Sequence, residues 1–166
     1  MLLYVIRHAQ AEASGPGVPD ADRPLTPQGR EDFRRSVAEL RRLGVATLRV
    51  LTSPLVRAQE TAAILEAELP TPPVRVCEAL SPQSSLENLV SVLAEEVFSM
   101  PLAVIGHQPT LGQLLALLTR GTSRSGFPLA TGGVARLSFE GALGPGRGVL
   151  EWLLIGQELR IPLPPP

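Results

Sequence analysis

The 166-residue chain has only two histidines, and each stands beside groups suited to anions. His8 follows Arg7 at the end of the apolar run Leu2 to Ile6, and His107 follows Gly106 at the end of the run Leu102 to Ile105. A further run, Leu48 to Thr52, ends in Ser53-Pro54, with Arg57 close behind. The planar fork of an arginine matches phosphate oxygens, and helix N-termini add unpaired N–H groups and the positive end of a dipole. A neutral imidazole can attack phosphorus and split one hard displacement into two through a covalent phosphohistidine. His8 is accordingly the expected nucleophile. Arg7, Arg57 and His107 are the expected holders of the phosphoryl oxygens, acting by positioning and electrostatic stabilisation.

Each residue alone has a plainer reading, and the joint pattern is what overrides it. A lone histidine at a strand end is commonly a hydrogen-bonded structural group. A cation in a first helical turn, as Arg57 would be, is mildly disfavoured by the helix dipole, and that misfit points to an anion beside it. Ser53 reads first as an N-cap, with contact to phosphate as a second role. Cys77, the single cysteine, cannot form an intrachain disulfide and reads as core packing. Two histidines without a Cys-x-x-Cys pair make no zinc site, so neither metal nor cofactor is expected.

The elements that must position these groups follow from periodicity. Leu2 to Ile6, Leu48 to Thr52, Val74 to Cys77 and Leu102 to Ile105 read as short buried strands. Between them lie amphipathic helices: Thr26-Pro27 caps one that ends at Gly44, and Ser53-Pro54 repeats the signal before a stripe ending at Pro70. Ser84-Ser85-Leu86-Glu87 has the form of a capping box, and Pro109 reads as a first-turn proline before a helix stopped by Gly121. Val134 to Phe139 and Val149 to Ile155 read as a closing hairpin. Alternating strands and helices give an α/β three-layer sandwich, a mainly parallel central sheet with helices on both faces. In such a sheet, ligands bind at the carboxyl ends of the strands, where both histidines lie. One domain, 1–160, and a proline-rich tail, 161–166, account for the chain.

Composition excludes several classes. Fifteen basic residues, all arginine, against sixteen acidic ones leave a net charge of −1, too little for a nucleic-acid binder. No apolar run approaches the ~20 residues of a membrane span, and the start lacks the basic region of a signal peptide, so a cytoplasmic location is expected. Nothing in the composition fixes the oligomeric state.

As a set, Arg7-His8-Ala9, Leu25-Thr26 with Gly29, Ser53-Pro54-x-x-Arg57-Ala58-x-x-Thr61-Ala62 and Gly106-His107 resemble the histidine phosphatase superfamily, in order and over nearly the whole chain. The run Arg23-Pro24-Leu25-Thr26 looks like that of the short SixA-like phosphohistidine phosphatases. The resemblance implies a phosphoglycerate mutase-like fold, His8 as nucleophile and Arg7, Arg57 and His107 as the phosphate pocket. It also implies a place in signal transduction, with a phosphohistidine-bearing protein domain as substrate. Ala9 stands where the commoner form has glycine, though alanine is familiar among the short members. The helical insertion that covers the site in mutases, and their acidic proton donor, have no counterpart, because one helix-strand-helix passage uses all of 58–100. Two acids are open as donor, Glu78 after the third strand and Asp20 in the first loop. The rival readings are a small-molecule phosphomonoesterase, a mutase, which would need the absent cover, and a phosphate-dependent binding module without catalysis.

Overall fold

The structure, a computed structural model, describes residues 1–96, 100–155 and 158–160. The strands are β1 (Leu2–Arg7), β2 (Arg49–Thr52), β3 (Arg75–Val76), β4 (Leu102–Gly106), β5 (Val134–Ser138), β6 (Val149–Ile155) and β7 (Glu158–Arg160). The helices are α1 (Pro27–Arg42), α2 (Val56–Glu68), α3 (Leu86–Glu95) and α4 (Thr110–Arg120). One sheet holds all seven strands in the order β3-β2-β4-β1-β5-β6-β7. β1, β2, β3 and β4 run parallel, whereas β5, β6 and β7 add antiparallel neighbours beyond β1. The hairpin expected from Val134 onward is present, while the three-residue β7 is too short to leave a periodic signal. The proline-rich stretch 161–166 lies outside the described residues.

Period-two alternation along the central strands feeds two cores. Tyr4, Ile6, Val50, Ala103 and Ile105 face one side and pack with Phe33, Val37 and Leu40 of α1 and Leu65 of α2. Leu3, Val5, Leu51 and Val104 face the other and pack with Leu89 and Leu93 of α3 and Leu111, Leu114 and Leu118 of α4. Cys77 packs against this second cluster, as its reading required.

Caps explain where the helices begin. Thr26 accepts a hydrogen bond from the N–H of Gly29 at 2.8 Å, with Pro27 as the first helical residue. Gly121 ends α4 in the left-handed conformation, φ 74°, which a glycine adopts without strain. Three expected caps are displaced. α3 is capped by Ser85, which accepts from Asn88 N–H at 3.2 Å, one residue later than the capping-box reading. Pro109 sits in the cap position of α4 rather than inside its first turn. Ser53-Pro54 does not cap α2, which begins at Val56 after Leu55, and no side chain caps it.

Candidate active site

Register alone brings the two histidines together. β1 and β4 are parallel neighbours with Arg7 opposite Gly106, so the residues that follow, His8 and His107, leave the sheet side by side. Their ring centroids are 5.0 Å apart. β2 is the next strand along, with Thr52 opposite Ile105, and this puts Ser53 beside His107. The Ser53 hydroxyl and His107 Nε2 are 2.8 Å apart, in a site where Ser53 is fully buried.

The backbone around His8 is fixed from three sides. His8 N–H donates to Gly106 O at 3.1 Å, Gly132 N–H donates to His8 O at 3.0 Å, and Ala9 N–H donates to Thr61 Oγ1 at 3.0 Å. Thr61 donates its own proton to Arg57 O at 2.7 Å, so the β1 exit and the first turn of α2 share one hydroxyl. Gly29 closes the arrangement: a Cβ there would lie 2.2 Å from the carbonyl oxygen of Gln10, which also accepts from Thr26 N–H at 2.9 Å. Only a glycine lets α1 approach the loop behind His8 so closely.

His8 Nδ1 lies 2.7 Å from the carbonyl oxygen of Ala9. A carbonyl only accepts, so Nδ1 carries the ring proton and the lone pair is on Nε2. The Ser53 hydroxyl oxygen accepts from Leu55 N–H at 3.4 Å and pairs with His107 Nε2 at 2.8 Å, which holds the His107 ring in place. Burial, joined by the charges of Arg57 and Arg7, lowers His8 from its ordinary 6.5 to about 4, partly opposed by the Ala9 hydrogen bond. Burial, with His8 and Arg57 adding to it, lowers His107 to about 3. Both imidazoles are therefore neutral at pH 7.

Arg7, His8, Arg57, His107 and Asp20 line one pocket of about 360 Å³, together with Arg23, Gln10 and Gln108. Arg7 is anchored by a bond from Nη1 to Leu129 O at 2.9 Å, and Arg57 by bonds to Asp20. Among the described residues, Nε of Arg7, Nε of Arg57 and Nδ1 of His107 are buried without a hydrogen-bond partner. Buried donors left unpaired are costly, and the two arginine Nε groups beside one pocket suit an oxyanion. No group of three or more His, Cys, Asp or Glu side chains among the described residues is placed to hold a metal ion.

Two of the expected residues are not in this lining. Glu78 lies exposed in the one-turn helix Glu78–Leu80, and it is not among the residues lining the pocket. Ser53 is buried behind His107 rather than lining the pocket. Asp20 does line it, but Arg23 and then Arg57 hold its carboxyl below the usual range, so it carries no proton to give in this arrangement. Arg23 and Gln108 were not expected in the lining; Arg23 had appeared only within a sequence run. A second recess of about 760 Å³ shares Arg7 and Gln108 with the pocket and is walled by Pro109, Phe127, Leu129, Leu153 and Ile155.

The sequence model of the histidine phosphatase superfamily (branch 1) matches residues 3–84. An uncharacterised protein of Picosynechococcus sp. (strain ATCC 27264 / PCC 7002 / PR-6) is 34% identical over 139 residues, 82% of this chain and 84% of that one. Among solved structures, the protein histidine phosphatase SixA complexed with tungstate is 27% identical, with a TM-score of 0.77 over 93% of this chain and 96% of that one. The alpha-ribazole phosphatase of Shigella flexneri, 21% identical, shares the fold with a TM-score of 0.69 over 89% of this chain and 96% of its own. No helix among the described residues is long and apolar enough to cross a membrane.

Proposed function

The chain belongs to the histidine phosphatase superfamily and is a phosphatase, and on that premise we propose that it removes the phosphoryl group from a protein-borne phosphohistidine through a covalent intermediate on His8. The observation that carries this is the 2.7 Å hydrogen bond from His8 Nδ1 to Ala9 O, which fixes the tautomer that exposes a nucleophilic lone pair on Nε2. In the first step Nε2 of His8 attacks phosphorus and the N–P bond of a ring-protonated phosphohistidine breaks, so that its imidazole takes the bonding pair and leaves neutral, with the proton already on its other ring nitrogen. The ring of His8 gains positive character as the new N–P bond forms, and the Ala9 carbonyl stabilises it from the far side. Arg7, Arg57 and the His107 imidazole hold the phosphoryl oxygens. In the second step water attacks phosphorus, the His8 N–P bond breaks, and inorganic phosphate leaves with neutral His8 restored.

A ring-protonated phosphohistidine releases a neutral imidazole without a proton from the enzyme, whereas an ester's alkoxide needs one, so phosphohistidine suits a pocket whose one carboxylate among the described lining residues is ionised. The likeness to SixA supports the same substrate class. A second reading, a small-molecule phosphomonoesterase, is favoured by the adjoining recess of about 760 Å³, which has room for a bulky leaving group. Side-by-side kinetics separates them. On the first reading kcat/KM for a phosphohistidine-bearing protein domain exceeds that for phosphoserine or sugar phosphates by more than about tenfold, roughly 1.4 kcal/mol in transition-state stabilisation. A metabolite ester as the better substrate overturns it in favour of the second. The reaction is proposed to need no metal: activity survives EDTA, and activity restored only by added metal refutes that part.

A further inference from the structure

Arg57 directs both terminal nitrogens at one residue. Nη1 donates to the carbonyl oxygen of Asp20 at 2.6 Å, and Nη2 donates to its carboxylate Oδ2 at 3.1 Å. The guanidinium is 5% exposed, whereas the carboxylate is 56% exposed. The other oxygen, Oδ1, accepts from Arg23 Nε at 2.9 Å and Nη2 at 2.6 Å, and the remaining Arg23 Nη1 holds Glu12 O at 2.6 Å. A carboxylate therefore sits on the buried cation of the pocket, in the manner of an oxyanion ligand. The segment that carries it is exposed from Glu12 to Asp22, and the short helix Asp20–Asp22 buries no residue. It can leave without opening the core.

On the reading of this pocket as the phosphoryl site, we propose that Asp20 is an internal competitor that sets a common affinity threshold: an incoming phosphoryl group must take Arg57 from the carboxylate, and the segment 12–22 swings outward as it does. Because Asp20 is tethered, it faces Arg57 at a high effective concentration, and every ligand meets the same cost of displacing it. That common cost lowers all affinities by one factor. Weak monoanions then fall out of the useful range, while a dianionic phosphoryl group, gripped by Arg7 and Arg57 together, stays bound. Repulsion at a distance acts differently, since it weighs on a dianion about twice as heavily as on a monoanion.

The test is calorimetric titration of wild type and Asp20→Asn with tungstate, and with perrhenate in competition with it. These are tetrahedral oxyanions of similar size carrying two charges and one. Asp20→Asn keeps the shape and removes the charge from an exposed position. Both ions are expected to bind Asp20→Asn about fivefold to tenfold more tightly, by the same factor. Unchanged or weakened affinity overturns the proposal, and so does a gain for tungstate well above that for perrhenate, which would mean repulsion without displacement. Tungstate bound equally by both proteins leaves the pocket standing as the phosphoryl site and removes only Asp20's part. Tungstate bound by neither removes both.

Discussion

The two halves of the sheet share one strand, β1, and divide the labour around it. On one side β4, β2 and β3 run parallel to it, and Arg7, His8, Ser53 and His107 all lie at or just past the carboxyl ends of β1, β2 and β4. On the other side the turn that leads into the antiparallel β5 contributes backbone bonds. Gly133 O accepts from Arg7 N–H at 3.1 Å, and Gly132 N–H donates to the carbonyls of Arg7 and His8. Parallel strands all deliver their carboxyl ends to one edge, so their loops converge, whereas antiparallel strands send alternate ends away. The parallel half collects side chains and the antiparallel half holds them still.

That contrast can be broken first at the proposed nucleophile. His8→Ala is expected to abolish the acid-labile, base-stable phosphoryl label that rapid quench would trap on the wild type. Label surviving in the variant, or mapping elsewhere, removes His8 from the role. Arg57→Ala comes next, with a loss of about 2.7–4 kcal/mol of transition-state stabilisation, while Arg34→Ala on the exposed face of α1 changes kcat/KM little. Equal small losses would take Arg57 out of the pocket. In the scaffold itself, Leu102→Ala in the fully buried β4 should cost about 3 kcal/mol in urea denaturation, and Leu153→Ala in the half-buried β6 about 1 kcal/mol. Similar costs would show that the two halves are equally buried in energetic terms.

The smallest expected effect is one of pH. Because His8 sits at about 4 rather than 6.5, lowering the pH from 7 to about 5.5 should leave phosphoenzyme formation within about twofold, where an ordinary histidine would keep only about a tenth of its neutral form. A tenfold fall would mean that burial does not protect the ring. Stability responds in the same window. Unfolded histidines take up protons below 6.5 that folded His8 refuses until about 4 and His107 until about 3, so the unfolded state binds more protons and stability declines as pH drops from 6.5 toward those values.

What was legible in the sequence is what lies near in the chain or repeats with a period. The strand runs, the cap at Thr26 and the placing of His8 and His107 at strand ends all survive in the structure. Ser53 was misread because a serine before a proline looks like a cap locally, and its actual partner is 54 residues away. The Leu129 carbonyl that anchors Arg7 is 122 residues distant, and a backbone oxygen leaves no mark in residue types. Glu78 and Asp20 weighed equally because nothing local distinguishes a short loop that reaches the pocket from one that stops short. Gly29 was visible as part of a motif, but its reason, the near-collision with Gln10 O, needed two elements in place.

β1 has a further consequence, for the order in which the molecule can be built. Its parallel partner β4 begins at Leu102 and its antiparallel partner β5 at Val134, so at about 5–20 residues per second a ribosome makes β1 roughly 5–20 s before β4 exists to pair with it. During that interval the sequence Leu-Leu-Tyr-Val-Ile-Arg has no native neighbour on either edge. Pairings across such a separation are slow to find. The nascent chain must therefore carry this largely apolar strand unpaired through most of synthesis, which makes β1 a natural client for a holding chaperone and the first place to look when expression yields aggregate.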